Sequence, residues 1–143
     1  MPYPELMIYP MREDLSRHGV EETKTADDVD RVLGPESGTV LMIVNSVCGC
    51  AAGKARPGVV QSLQGEIKPD KVATVFAGAD IEATAHLRQK LSMYPSSSPS
   101  FALFRNGEPV FMMHRHEIEG NEAPTIAAAL QRAYSEHCVK QTA

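Results

Sequence analysis

The apolar segment 40–44 is the sequence feature that most constrains the fold. Val40-Leu41-Met42-Ile43-Val44 has no polar side chain, and it is shorter than an ordinary buried helix. A short run rich in Val and Ile predicts a strand that is buried on both faces, as in a parallel sheet covered by helices. A chain of 143 residues is long enough to build such a core, and we predict one domain over residues 1–143.

Two cysteines follow this strand. Cys48 and Cys50 are separated only by Gly49, and the small and basic residues after them predict the start of a helix. Free N–H groups and the helix dipole favour negative charge at that position, which lowers the pKa of a cysteine and makes it a nucleophile. The pattern therefore predicts thiol–disulfide chemistry, with Cys48 on the solvent side as the attacking thiol and Cys50 more shielded.

The remaining pattern predicts an α/β chain with a mixed sheet. Asn106-Gly107 between two apolar runs is typical of a β-hairpin, and two βα units imply parallel strands with right-handed crossovers. Pro57 is expected to kink or restart its helix, and Asp80 to cap the next one with Ile81 facing inward. We predict strands over 39–44, 72–76, 100–105 and 109–114, and helices over 4–18, 25–33, 50–64, 81–91 and 121–137.

Composition narrows the functional class. A net charge of −4 argues against a nucleic-acid partner, and no apolar run approaches the length of a membrane span. The first residues have neither the basic start nor the apolar stretch of a secretory signal, which predicts a cytoplasmic protein. Three cysteines do not make a disulfide framework, so in a reducing compartment they indicate redox catalysis or metal binding.

The element order resembles a thioredoxin fold, and so does the segment 98–108 with its proline, apolar strand and Asn-Gly-Glu turn. Cys-Gly-Cys-Ala-Ala-Gly-Lys-Ala-Arg-Pro-Gly at 48–58 resembles the bacilliredoxin family of bacterial thioredoxin-like proteins. Further similarity lies at 11–15, 77–84 and 96–100. The resemblance implies a four-stranded mixed core sheet flanked by helices, with an N-terminal helical extension in place of the first thioredoxin strand. It also implies that Pro99 is a cis-proline facing the active cysteine.

The same resemblance implies a function and its partners. Cys48 would attack the mixed disulfide of an S-thiolated protein and take its bacillithiol, and Cys50 or another thiol would then resolve the adduct. A general protein disulfide isomerase or reductase activity is the alternative within enzymes. Gly49, Ser98 and Pro99 are expected at the substrate, and no cofactor is expected.

Other interpretations of these residues remain open. His114 and His116 share a face at a predicted strand end, so with the two cysteines they suggest a non-catalytic metal-binding or redox-sensing module, although Cys-x-Cys is poor zinc spacing. Lys54 and Arg56 either add positive potential near the thiols or form a solvated helix face. Cys138 is expected to pack as a small hydrophobe or to lie in a frayed helix end.

Overall fold

A computed structural model describes residues 2–138. Residues 1 and 139–143 of the predicted domain lie outside the described residues. The helices are α1 (Glu5–Ser16), α2 (Ala26–Val32), α3 (Arg56–Ser62), α4 (Ile81–Lys90), α5 (Arg115–Glu119) and α6 (Ala123–His137). The strands are β1 (Glu21–Glu22), β2 (Thr39–Asn45), β3 (Lys71–Phe76), β4 (Ser100–Arg105) and β5 (Glu108–Met113). A π-helical segment, Ala51–Ala55, directly precedes α3. No helix among residues 2–138 combines the length and the apolar character needed to span a membrane.

One mixed sheet of five strands, in the order β1-β3-β2-β4-β5, forms the centre of the protein. Strands β1, β3 and β2 are parallel, whereas β4 is antiparallel to both β2 and β5. The expected mixed core sheet flanked by helices is confirmed, and it has one strand more than the four expected. Glu21 and Glu22 pair with β3 at the sheet edge. The N-terminal extension therefore contains a short strand between α1 and α2, whereas only helices were expected there. Two glutamates have neither the length nor the alternation that would predict a strand.

Strand β2 supplies side chains to two separate cores, one on each face of the sheet. Val40, Met42 and Val44 pack with residues of α2 and α4, and Leu41 and Ile43 pack with residues of α3 and α6. Each of the five is at most 3% exposed. The predicted strand buried on both faces is confirmed, and its two-residue period explains how one apolar run serves both layers.

The helix after the cysteines restarts as an α-helix at Arg56, next to Pro57, where a kink or a restart was predicted. Gly49 and Cys50 already have helical backbone, the π-helical segment follows, and α3 begins at Arg56 with Pro57 in its first turn. The Arg56 N–H donates to the Ala51 carbonyl five positions earlier, and Pro57, which has no N–H, follows this π-type bond. Beyond it, a Cβ built on Gly58 would come within 2.6 Å of Cγ2 of Ile126, so a glycine is needed for α3 to pack this closely on α6.

A buried ion pair joins α1 to the end of β3. Arg12 is 4% exposed, and its two terminal nitrogens donate to the Asp80 carboxylate over 2.9 and 2.8 Å. Asp80 also accepts from the Phe76 N–H over 3.0 Å and makes no side-chain cap on α4. The predicted cap is therefore wrong, because an arginine 68 positions earlier takes the carboxylate. Ile81, predicted to face inward, is 56% exposed.

The β4–β5 hairpin is formed as predicted around Asn106 and Gly107, whose φ angles of 50° and 86° match the left-handed turn that Asn-Gly favours. Strand β5 ends at Met113, one residue before the predicted end. The short helix α5 follows at once and was not predicted from the sequence. It matters for the site, because it brings a new cation towards the cysteines.

Candidate active site

The two cysteines lie at the end of β2, at the predicted strand-to-helix transition. Both are free thiols, and their sulfur atoms are 2.7 Å apart. The Cys48 carbonyl accepts from the N–H groups of Ala51 and Ala52 over 3.0 and 3.3 Å, which fixes the first helical turn around the pair. Cys48 and Cys50 are both partly exposed, and Cys48 packs against the α3–α6 core. The expectation that Cys50 is the more shielded thiol is therefore wrong.

Hydrogen bonding, not exposure, distinguishes the two thiols. Burial alone would raise the pKa of Cys48, but hydrogen bonds from the Cys50 thiol, the Ser46 hydroxyl and the N–H groups of Ala51 and Cys50 outweigh it and lower that pKa. Burial raises the pKa of Cys50, and its hydrogen bond to Cys48 and the negative charge of Cys48 raise it further. The pair therefore consists of a favoured thiolate, Cys48, and a favoured proton donor, Cys50.

The turn that carries Cys48 is held by a buried polar cluster. The Ser46 hydroxyl accepts from the Cys48 N–H over 3.2 Å, and the Ser46 N–H donates to the Asn45 side chain over 2.9 Å. Arg56, 3% exposed, donates to both the Asn45 side-chain oxygen and the Ser46 carbonyl over 2.9 Å. A further bond runs from Arg56 to Asp14 over 3.0 Å. Arg56 is thus neither a solvated cation nor a partner of the thiols, and it fixes the backbone that presents Cys48.

Lys54, the other cation considered from the sequence, points towards α5. Its ammonium group donates to the Glu119 carbonyl over 2.8 Å and lies 3.7 Å from the Glu122 carboxylate. Lys54 therefore connects the π-helical segment to α5 and to the start of α6.

A third cation, Arg115, is the site residue that sequence reasoning missed. The Ser98–Pro99 peptide bond is cis, as the resemblance implied, and Arg115 donates to the Ser98 carbonyl over 3.1 Å. Its positive charge lowers the pKa of Cys50, against the larger effect of burial. Arg115 and Glu119, four positions apart, form an ion pair at 3.0 Å. That spacing is typical of a helix, and it was the available sign of α5 in the sequence.

The alternative metal site is not assembled. The rings of His114 and His116 stack with centroids 5.8 Å apart, and Tyr94 contacts the His114 ring edge-on. Within residues 2–138, no group of three or more His, Cys, Asp or Glu side chains is arranged to hold a metal ion. The structure therefore does not bring these histidines and the two cysteines into one ligand set.

Cys138 lies far from the other two cysteines. It is half-buried against the α3–α6 core, and burial raises its pKa while a hydrogen bond with Thr39 lowers it in part. Thr39 begins β2, whereas Cys48 follows the other end of that strand. Cys138 thus packs as a small hydrophobe, the first of the two predicted alternatives.

Gly49 lies between the two thiols without a strained backbone in this dithiol form. Its φ is outside the left-handed region, and a Cβ there would meet no atom within 4 Å. The place of Gly49 and of Ser98 at the substrate stays a prediction.

The pKa order of the thiols predicts their reactivity. We expect iodoacetamide to modify Cys48 faster than Cys50 or Cys138 at pH 7, and the Cys48 rate to level off at a lower pH than the Cys138 rate, because only the thiolate reacts. Ser46→Ala should move the Cys48 profile to higher pH by removing a hydrogen bond to the thiolate. Peptide mapping after timed alkylation across the acidic to alkaline range measures each profile. A Cys48 profile that levels off above that of Cys138 would contradict the assignment.

Comparisons with a family model and with curated proteins match this chain over nearly its whole length. A family model described as "Disulphide isomerase" matches residues 3–138. A bacilliredoxin of Salinibacter ruber is 50% identical over 99% of this chain and 83% of its own length. A bacilliredoxin of Bacillus cereus is 46% identical over 95% of both chains.

Solved structures confirm the thioredoxin fold. The thioredoxin of Malassezia sympodialis matches with a TM-score of 0.59 and 20% identity, over 84% of this chain and 91% of that one. A mutant thioredoxin of Halobacterium salinarum matches with a TM-score of 0.60 and 17% identity, over 87% and 96% of the two chains.

Proposed function

Because the chain belongs to the bacilliredoxin family and is a thiol–disulfide oxidoreductase, we propose that it removes bacillithiol from S-bacillithiolated proteins. The observation that carries this proposal is the 2.7 Å pair of thiols, in which hydrogen bonds lower the pKa of Cys48 while the pKa of Cys50 is raised. In such a pair, Cys48 can attack first as the thiolate, and Cys50 stays protonated and available for the second step.

In the first step, the Cys48 thiolate attacks the bacillithiol sulfur of the mixed disulfide. A bond forms between Cys48 and bacillithiol, and the sulfur–sulfur bond to the substrate protein breaks. The substrate cysteine leaves as a thiolate and takes a proton from solvent. One disulfide is exchanged for another, so this step needs no external oxidant or reductant.

In the second step, Cys50 loses its proton and attacks the Cys48 sulfur. The Cys48–Cys50 disulfide forms, and bacillithiol leaves as a thiolate. The mixed disulfide is thereby reduced by two electrons, and the cysteine pair is oxidised by two. A low-molecular-weight thiol then returns the pair to the dithiol state by two further exchanges.

The surroundings of the thiols support a protein substrate. The Ser98–Pro99 loop is tied to α5 by Arg115, and we propose that Gly49, Ser98 and Pro99 contact the substrate chain around its disulfide. The proposed compartment is the cytosol, where a reducing thiol pool can restore the pair.

General protein disulfide isomerisation or reduction is the second candidate, and the description of the matching family model favours it. It uses the same Cys48 nucleophile on a disulfide between two protein cysteines. The two candidates differ in the partner of the mixed disulfide, which makes mass spectrometry the decisive measurement.

Cys50→Ser should trap the intermediate, because serine does not form a nucleophilic thiolate. After mixing with a bacillithiolated protein, intact-mass spectrometry should show one bacillithiol adduct, and peptide mapping should place it on Cys48. Cys138→Ser is the matched control, because it removes a thiol at the other end of β2; that variant should show no trapped adduct and should turn over normally. An adduct only with other disulfides would remove bacillithiol from the proposal and leave the thiol exchange.

A further inference from the structure

Helix α5 contacts the π-helical segment Ala51–Ala55, which directly follows Cys50. Cys50 and Lys54 are four positions apart, so their side chains share one side of the helical segment. Lys54 donates to the Glu119 carbonyl over 2.8 Å, which places the end of α5 one turn beyond Cys50.

Arg115 is one turn back along α5 from Glu119. The hydrogen bond to Glu119 and the negative charges of Cys48, Glu119 and Cys50 raise the pKa of Arg115, so its charge acts on both thiols. Its Nε donates to the Glu119 carboxylate over 3.0 Å, and one terminal nitrogen donates to the Ser98 carbonyl over 3.1 Å. The Ser97 hydroxyl accepts from the Arg115 N–H over 3.2 Å. These contacts hold the guanidinium between α5 and the cis-proline loop, so its position does not depend on the substrate.

We propose that Arg115 and Glu119 are positioning residues for the resolving step, in which Arg115 promotes formation of the Cys50 thiolate and Glu119 restrains it. This inference rests on the proposed function, because it assigns a task to Cys50 after Cys48 has formed the mixed disulfide. The balance of that step is unchanged: Cys50 releases its proton to solvent, bonds to the Cys48 sulfur and displaces the bacillithiol thiolate.

The charges around Cys50 support this division of roles. Burial raises its pKa most, and the hydrogen bond and charge of Cys48 add to that, whereas the Arg115 charge lowers the pKa and the Glu119 charge raises it. When Cys48 is part of a disulfide, its own negative charge is gone. Arg115 and Glu119 then remain as opposing charges that act on the resolving thiol.

The other charged or titratable groups of the elements packed here have partners of their own. Lys54 is bound to the Glu119 carbonyl and is near Glu122, and the two histidine rings stack on each other. The Glu117 carboxylate accepts from the His114 N–H over 2.8 Å. Besides Arg115 and Glu119, the charged or titratable groups of the π-helical segment, α5 and the start of α6 are therefore Lys54, His114, His116, Glu117 and Glu122.

The test measures Cys50 alone, in the full chain with Cys48→Ser and Cys138→Ser. In this background serine stands for the uncharged Cys48 sulfur of the mixed disulfide. We expect Arg115→Gln to slow iodoacetamide alkylation of Cys50 at pH 7 by roughly two- to fivefold, and Glu119→Gln to accelerate it by a similar factor, as expected for partly exposed charges. Arg115→Lys keeps the positive charge and should restore most of the rate.

A second ion pair of similar exposure provides the control. Arg31 and Glu21 are 2.7 Å apart at the β1 edge, and Arg31→Gln and Glu21→Gln should leave Cys50 alkylation unchanged. Opposite shifts from the two α5 variants support the proposal. Equal rates, or shifts in the same direction, would overturn it. Because no bacillithiol is present, this result is independent of the trapping experiment, and either inference can fail alone.

Discussion

Replacing Cys48 by serine should reduce the release of bacillithiol from a bacillithiolated protein by at least about a thousandfold, the scale at which loss of a nucleophile stops covalent catalysis. The serine hydroxyl carries no negative charge at neutral pH, so the hydrogen bonds from Ser46 and from the Ala51 N–H have no thiolate to stabilise. Initial rates of substrate-thiol release, measured at a fixed concentration of reducing thiol, give the effect.

The comparison with Cys50→Ser makes this prediction specific. In a reaction without reducing thiol, Cys50→Ser retains the first step and should release one equivalent of substrate thiol before it stalls, whereas Cys48→Ser should release none. Cys138→Ser should behave as the unmodified protein. If Cys48→Ser kept the first release and Cys50→Ser lost it, the roles of the two thiols would be reversed.

Arg12→Met should lower the free energy of unfolding by roughly 3–5 kcal/mol, the usual effect of removing one partner of a buried ion pair. Methionine fills part of the space over the Phe76 ring, where the guanidinium now lies 5.4 Å from the ring centre. It leaves the Asp80 carboxylate, 6% exposed, with a single N–H donor from Phe76 among its contacts in the described chain. Urea denaturation measures the change.

Two further variants separate charge from packing. Glu5→Gln changes a partner of Arg12 whose side chain is 58% exposed, and it should cost less than about 1 kcal/mol. Adding Asp80→Asn to Arg12→Met removes the unpaired charge and should recover part of the loss. A single Arg12→Met effect as small as that of Glu5→Gln would show that this pair contributes little.

Much of this fold could be predicted from short stretches of the sequence. The apolar run of β2, the Asn106-Gly107 turn and the proline at position 57 each determine structure through neighbours in sequence, and each prediction is confirmed. The cysteine pair was located for the same reason, since a strand followed by a helix can be recognised from one stretch of chain.

The errors come from contacts that are distant in sequence. Asp80 was expected to cap α4, but Arg12 takes its carboxylate. Strand β1 exists because β3 offers it a partner, and two glutamates carry no strand signal of their own. Arg115 was not predicted as a site residue because α5 was not predicted. This helix of one turn and a half is too short for an apolar period to show in the sequence.

The edges of the sheet affect how this protein meets its substrates. One edge is β1, only two residues long and made of glutamates, and the other is β5, which contains Pro109 and so lacks one backbone donor. Short, charged or proline-containing edges resist the addition of a strand from another chain. In the proposed reaction, foreign protein chains meet this surface in every cycle without a covalent bond to it, because Cys48 bonds to bacillithiol. Edges of this kind favour release of those chains over their growth into aggregates.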